Sequence, residues 1–134
     1  MACIIRETSI DVDPEVAWDA LRDWGAVHER LAPGFVSDAR VDGRDRVVTF
    51  FNGSVVRELF VGADDRAWRL AWAVADGSLG LAHYNASAQV IPDRETRTRF
   101  VWTADLLPDH LAGHVSQLIE QGLSTIKNTL EKRA

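Results

Sequence analysis

The sequence predicts one α+β domain over residues 1–134, in which a curved antiparallel sheet of about seven strands packs around a long C-terminal helix. Three observations support this. A strand-like segment and two short helical segments open the chain. Six further strand-like segments follow, joined by short links of the kind that connect neighbouring antiparallel strands. The chain then ends in its longest helical segment, which gives the order β-α-α-β6-α.

The C-terminal run from Pro108 to Arg133 is predicted to be an amphipathic helix. It is the only long element that could cover the apolar face of the sheet. A sheet of this size accumulates twist, so we expect it to curl around the helix and to leave a cavity between them. The apolar residues recur at the spacing of one helix face: Leu111, Val115, Leu118, Ile119, Leu123, Ile126 and Leu130.

The first 34 residues are predicted to form one strand and two short helices. Alternation from Ile4 to Val12 predicts a strand, which we expect to pair with the last strand. Asp13 is a candidate N-cap, and Pro14 suits the first position of a helix. Gly25 ends or kinks that helix, and a second short helix follows before Pro33 and Gly34. The apolar side of the first helix comprises Val16, Ala17, Ala20, Leu21 and Trp24, and the second helix spans Ala26 to Leu31.

The middle of the chain alternates strand-like segments with turn signals. Asn52 and Gly53 predict a two-residue hairpin, because both residues tolerate positive φ. The predicted strands run from Phe35 to Val41, Arg46 to Phe51, Val55 to Val61, Trp68 to Ala75, His83 to Ile91 and Thr98 to Leu107. The other predicted turns lie at Asp42 and Gly43, Asp64 and Asp65, Asp76 to Ser78, and Pro92 and Asp93.

Period-2 alternation predicts which side chains face the helix. Two inward alanines, Ala86 and Ala88, leave space in the middle of the sheet, and native cores seldom leave space empty. Either a ligand or the side chains of Trp72 and Trp102 could fill it. The inward sets are Trp68, Leu70, Trp72 and Val74; Tyr84, Ala86, Ala88 and Val90; and Phe100, Trp102, Ala104 and Leu106, which leaves His83, Asn85, Ser87 and Gln89 to water.

Glu58 is the candidate polar residue of this cavity. It shares a strand face with Val56 and Phe60, which favour burial. A buried carboxylate needs a partner or a proton. The alternative is an exposed strand glutamate beside Arg57 or Arg69.

Composition and charge exclude several classes of function. A formal charge of −5 with scattered Lys and Arg argues against nucleic-acid binding. Cys3 is the only cysteine, which fits a reducing cytoplasm, and no signal peptide or membrane span is predicted. His110 and His114 have the i, i+4 spacing of a metal pair but no convincing third ligand, so we predict no metal and no cofactor. The sequence does not decide whether the protein forms a homodimer.

Several short motifs, in this order and spacing, resemble the START-like superfamily over nearly the whole chain. This helix-grip, birch-pollen-allergen-like group includes the polyketide cyclase/dehydrase family (SRPBCC) of small bacterial proteins. The resemblance implies a sheet that grips the C-terminal helix around an apolar cavity, with Glu58 and Tyr84 in its lining. The motifs are Pro14 to Trp18 with Asp23 and Trp24, Gly53 to Glu58 before Asp64, Tyr84 with Val90 and Pro92, Thr98 to Trp102 before Pro108, and Gly122 with Leu123, Ile126, Lys127 and Leu130.

The resulting hypothesis is a protein that binds a small hydrophobic or aromatic, lipid- or polyketide-like molecule in its cavity. One alternative is a polyketide cyclase, aromatase or dehydratase with Glu58 as general base and Tyr84 as hydrogen-bond donor to an enolate. Another is a non-catalytic interaction or stress-response scaffold. Whether the protein is an enzyme stays open. The candidate ligand-binding residues are Val56, Phe60, Leu70, Trp72, Tyr84, Ala86, Ala88, Phe100, Trp102, Leu118 and Gly122.

Overall fold

The structure, a computed structural model, describes residues 1–77 and 80–132 and confirms the predicted fold. Seven antiparallel strands form one sheet in the order β1-β7-β6-β5-β4-β3-β2, and β1 pairs with β7 as expected. Ser78 of one predicted turn and Arg133 at the predicted helix end lie outside the described residues. The strands are β1 (Ala2–Ile10), β2 (Val36–Asp42), β3 (Asp45–Phe50), β4 (Val55–Asp64), β5 (Arg69–Gly77), β6 (His83–Arg94) and β7 (Arg97–Leu107).

Helix α1 (Pro14–Arg22) begins as predicted. The Asp13 side chain accepts a hydrogen bond from the backbone N–H of Glu15 at 3.0 Å. Val16, predicted to be buried, is 42% exposed because the helix turns Trp18 inward instead. A 3₁₀ turn (Trp24–Ala26) and a π-helical turn (Val27–Leu31) take the place of the single second helix that the sequence predicted.

Helix α2 (Ala112–Lys132) lies against the concave face of the sheet, after a 3₁₀ turn (Asp109–Leu111). Its polar contacts run to β1 and to the loop that follows. Lys127 Nζ lies 2.6 Å from the carbonyl oxygen of Ser9, and Glu131 Oε2 accepts from the backbone N–H of Asp11 at 3.0 Å. The buried residues of α2 match the predicted apolar face, with Gly122 among them: Val115, Ile119, Gly122, Leu123, Ile126 and Leu130.

The β3–β4 hairpin differs from the predicted two-residue turn. Thr49 pairs with Val55, and Phe50 N–H donates to the Ser54 carbonyl at 2.9 Å. The loop therefore holds three residues and ends on Gly53, which has φ of 85°. This is the turn-plus-bulge form, in which glycine takes the left-handed position. The extra loop residue changes the register between β3 and β4 by one.

Two further predictions about β6 were wrong. The predicted turn at Pro92 and Asp93 lies inside the strand, which continues to Arg94 through a register irregularity that tolerates the proline. Ser87, predicted to face water, is 8% exposed. It lies on the outer face of the sheet, in a groove whose other walls include Val61, Arg69 and Asp105.

The predicted inward faces are otherwise confirmed. The inward residues of β5, β6 and β7 are buried, apart from half-buried Val74 and Trp102. Trp68 directly precedes β5 and packs against the core, with a left-handed φ of 54°. Within residues 1–77 and 80–132, no helix has the length and apolarity that crossing a membrane requires.

Candidate functional site

A cavity lies between the concave face of the sheet, helix α2 and the short helical turns. Most of its wall is aliphatic or aromatic. The mouth is marked by lining residues that stay exposed or half-buried: Asn52 and Ser54 at the β3–β4 hairpin, Leu81 before β6, and Leu118 on α2. Deep in the wall, Arg46, Glu58 and Tyr84 form a polar end.

The cavity is small, with a volume of about 90 Å³. An apolar cavity of about 150 Å³ holds one benzene molecule. The cavity is therefore smaller than a benzene site, and a ligand must extend into the mouth or displace side chains.

Two tryptophans take up part of the interior. Trp72 on β5 and Trp102 on β7 meet edge to face, with ring centroids 6.0 Å apart. Both rings also line the remaining space. The tryptophan side chains therefore take up part of the space near Ala88, and the rest is open; that a ligand fills the rest stays a prediction.

Most of the predicted site residues line the cavity. Ala88 and Leu70 form part of its floor, and Leu118 belongs to the helix wall. Glu58 is 6% exposed, so the exposed alternative for this residue was wrong. The predicted residues in the lining are Val56, Glu58, Leu70, Trp72, Tyr84, Ala88, Phe100, Trp102 and Leu118.

Three predicted residues do not line the cavity. Phe60 packs edge to face on Trp24, with centroids 5.4 Å apart. Ala86 is buried but does not border the cavity. A Cβ atom on Gly122 would lie 2.8 Å from Trp102 Cζ3, because the tryptophan ring covers this glycine. Strand alternation and helical spacing predict which face a residue occupies, but they do not show which side chain covers it.

Arg46 is the partner of buried Glu58. Its Nε and Nη2 atoms both lie 2.8 Å from Glu58 Oε1. Nη1 donates to the Trp24 carbonyl at 3.1 Å, and the guanidinium lies 3.7 Å from the centroid of the Trp24 ring. The cation is thus held by a carboxylate, a carbonyl and an aromatic face, which is how a buried arginine becomes tolerable.

Tyr84 places its hydroxyl group near Glu58. Burial and the negative charge of Glu58 raise the pKa of Tyr84 well above its usual value, so the phenol stays neutral. The indole N–H of Trp102 lies near the hydroxyl and offsets part of that rise. The polar end therefore combines a fixed carboxylate with a neutral hydroxyl.

Sequence reasoning missed Arg46 and the contribution of the segment before β2. Arg46 shares strand parity with Val48 and Phe50, which was an available signal. The predicted two-residue turn, however, would place Val47 opposite Glu58, whereas the observed register pairs Arg46 with Glu58. Phe35, Val27 and Leu31 also line the cavity, and no periodic pattern indicated this.

The histidines do not form a metal site. His110 and His114 are exposed, and none of the described residues form a group of three or more potential metal ligands. The His28 side chain is 18% exposed, and its Nε2 lies 3.1 Å from Glu29 Oε1.

Comparisons with known proteins agree with this architecture. The family model described as polyketide cyclase / dehydrase and lipid transport matches residues 1–131. A protein from Bacillus thuringiensis is similar in structure, with a TM-score of 0.86, 14% identity, and coverage of 96% of this chain and 98% of that one. No curated protein matches in sequence.

Two further solved structures share the fold. A START superfamily protein from Mycobacterium smegmatis has a TM-score of 0.76 and 12% identity, and covers 98% of this chain and 95% of its own. Norcoclaurine synthase from Thalictrum flavum, solved in complex with dopamine and hydroxybenzaldehyde, has a TM-score of 0.72 and 16% identity. That alignment covers 98% of this chain and 84% of the synthase. At these identities the likeness concerns the fold alone.

Proposed function

The chain belongs to the polyketide cyclase / dehydrase and lipid transport family, and on that premise we propose that it binds a small hydrophobic or aromatic molecule in the cavity between sheet and helix. The observation that carries the proposal is an apolar cavity with an open mouth and a single polar end. Binding sites for small molecules commonly combine apolar walls with a few fixed polar groups.

The volume limits what such a ligand can be. The cavity volume of about 90 Å³ is below the roughly 150 Å³ that holds one benzene, so even a single aromatic ring or a short acyl segment must reach towards the mouth or displace side chains. A ligand of about ten heavy atoms must place its remaining atoms in the mouth, near Leu81 and Leu118, or move Trp102. Bulky rigid molecules are therefore poorer candidates than a ring that carries a chain.

A thermal-shift screen of single-ring aromatic and medium-chain acyl compounds tests the proposal. A ligand that binds only the folded state must raise the melting temperature. Ala88→Leu fills the cavity floor and should abolish the shift, whereas Ala73→Leu adds the same side chain on the outer face of β5 and should preserve it. Equal shifts in both variants would contradict binding in the cavity. If no compound stabilises the wild type, the scaffold alternative gains support.

A second candidate function is proton-transfer catalysis on such a ligand. It is favoured by the Glu58 carboxylate, whose Oε2 receives no hydrogen bond from the described residues, beside a neutral Tyr84. Glu58 would take a proton from carbon next to a carbonyl group, and Tyr84 would donate a hydrogen bond to the resulting enolate oxygen. Glu58→Gln should then retain ligand binding and lose turnover. Turnover that survives this substitution would rule out Glu58 as the base.

A further inference from the structure

Three polar groups at the deep end of the cavity have unused hydrogen-bonding capacity among the described residues. Glu58 Oε2 accepts no hydrogen bond from them, since both contacts from Arg46 end on Oε1. The Tyr84 hydroxyl lies near Glu58 and the indole N–H of Trp102, and its own proton is donated to no acceptor among the described residues. The buried Trp102 Nε1–H has no well-formed hydrogen bond. A buried polar group is normally hydrogen-bonded, so the Trp102 Nε1–H needs an explanation, and Glu58 and Tyr84 line the same cavity beside it.

The chemistry of these groups restricts what can satisfy them. Glu58 Oε2 needs a donor, Trp102 Nε1–H needs an acceptor, and Tyr84 can serve as either. A hydroxyl group on a ligand is donor and acceptor in one atom. A carbonyl would leave Glu58 unsatisfied, and a hydrocarbon would leave all three groups unsatisfied.

Charge excludes two further ligand groups. Arg46 already neutralises Glu58 in a buried pair, in which the two side chains are 7% and 8% exposed. A ligand carboxylate would lie against the Glu58 carboxylate, and the described lining residues offer no cation other than Arg46. A ligand ammonium would bring a second cation beside Arg46. Either ion would add an uncompensated charge to an apolar cavity, which is costly.

We infer that the polar end selects an uncharged ligand with a hydroxyl group, which donates to Glu58 Oε2 and accepts from Tyr84 or Trp102. This inference rests on the proposed function, because it identifies the ligand class of the same cavity. Tyr84 and Trp102 act here as specificity-determining residues. The apolar wall binds the carbon skeleton, and the polar end distinguishes between skeletons of equal shape.

Three ring compounds of nearly equal shape test the inference: toluene, p-cresol and p-toluate. Each is titrated into ¹⁵N-labelled protein, and the indole N–H resonance of Trp102 reports the polar end directly. We expect p-cresol to bind about tenfold more tightly than toluene, since it satisfies buried groups that toluene leaves unpaired. We expect p-toluate to bind more weakly than either compound.

Tyr84→Phe removes the hydroxyl and keeps the ring. It should bring the affinity for p-cresol close to that for toluene, so that the ratio of the two affinities falls from about ten to about one. A matched control is Phe100→Leu, which alters the apolar wall and should weaken both compounds by a similar factor. If Tyr84→Phe fails to fold, wild-type selectivity and the Trp102 resonance still decide the question.

The outcomes separate the two proposals. If toluene and p-cresol bind the wild type equally, or p-toluate binds best, the selection is wrong while cavity binding stands. If none of the three binds at millimolar concentration, the inference is wrong, and the proposed binding function fails with it if the thermal-shift screen also finds no ligand.

Discussion

Arg46 and Glu58 face each other across the β3–β4 ladder, and two guanidinium nitrogens of Arg46 lie 2.8 Å from one carboxylate oxygen of Glu58. Counted over the whole residue, Arg46 and Glu58 are each 6% exposed. The pair occupies a wall that is otherwise apolar. Because Arg46 neutralises Glu58, the core tolerates the buried carboxylate. Because both contacts from Arg46 end on Oε1, Glu58 Oε2 can still accept a hydrogen bond.

Arg46→Met should destabilise the fold by roughly 3–5 kcal/mol, because it leaves the Glu58 charge buried without a partner. Urea denaturation at pH 7 measures the change. Arg57→Met is the matched control, since Arg57 pairs with Asp42 and Asp45 at the surface and should matter far less. Equal losses in the two variants would show that burial does not determine the importance of the Arg46 pair.

Replacing both members of the pair should reverse much of that loss. In Arg46→Met with Glu58→Met, no buried charge remains, and apolar side chains of similar volume fill the wall. We expect the double variant to be more stable than Arg46→Met alone in the same urea experiment. A double variant that is less stable than either single variant would indicate that the pair contributes more than the cost of its desolvation.

Tyr84 should resist ionisation in the folded protein. It is the only tyrosine in the chain, so absorbance near 295 nm reports its phenolate alone. Because burial and Glu58 raise its pKa, native protein at pH 11 should show little phenolate, whereas protein in urea should titrate near 10.0. A native titration midpoint near 10 would place the hydroxyl in contact with water.

The same shift has a consequence for stability. The folded-state pKa of Tyr84 lies above the unfolded value, so the unfolded chain loses its phenol proton first as pH rises. Stability from this group is fully present below pH 10 and should fall above it, by at most about 1.4 kcal/mol per pH unit. Tyr84→Phe should remove this part of the alkaline slope.

Gly122→Ala should destabilise the helix wall by about 1–3 kcal/mol through overpacking. The added Cβ would lie 2.8 Å from Trp102 Cζ3 and 3.1 Å from Phe35 Cε2. Gly113→Ala on the same helix is the control, because no atom lies within 4 Å of its added Cβ, and it should be neutral or slightly stabilising. Thermal denaturation compares the two variants, and an equally tolerated Gly122→Ala would argue that Trp102 moves freely.

Glu131 should contribute stability that depends on its charge. The backbone N–H of Asp11 and the ammonium group of Lys127 hold the pKa of Glu131 below its usual value. A lowered folded-state pKa gives stability that is present above pH 4.5 and is lost as pH falls through the folded value. Denaturation curves of wild type and Glu131→Gln should therefore differ at pH 7 and converge near pH 3. A difference that persists unchanged in acid would assign the effect to packing.

Periodicity predicted the fold and most of the buried faces, with Val16 and Ser87 as exceptions. The apolar stripe from Leu111 to Leu130 predicted the helix that the sheet grips, and alternation placed Tyr84 and Ala88 inward. These predictions succeed because burial repeats along each element and can therefore be read from one segment at a time.

The sequence indicated Glu58 and Tyr84 as polar residues of the cavity but not Arg46, the partner of Glu58. That pairing depends on contacts between segments, because one extra residue in the loop that ends on Gly53 decides whether Arg46 or Val47 faces Glu58. Trp102 covers Gly122, and the position of the Trp102 side chain cannot be read from residue spacing. Register and side-chain packing are set by the whole core, so a single segment does not reveal them.

Nuclear Overhauser effects between bound p-cresol and the protein show where a small ring-containing molecule binds. If it binds in the cavity, the ring protons contact the Ala88 methyl group and the indole of Trp102, both in the cavity lining. Contacts confined to the outer face of the sheet, with none to Ala88, would contradict binding in the cavity.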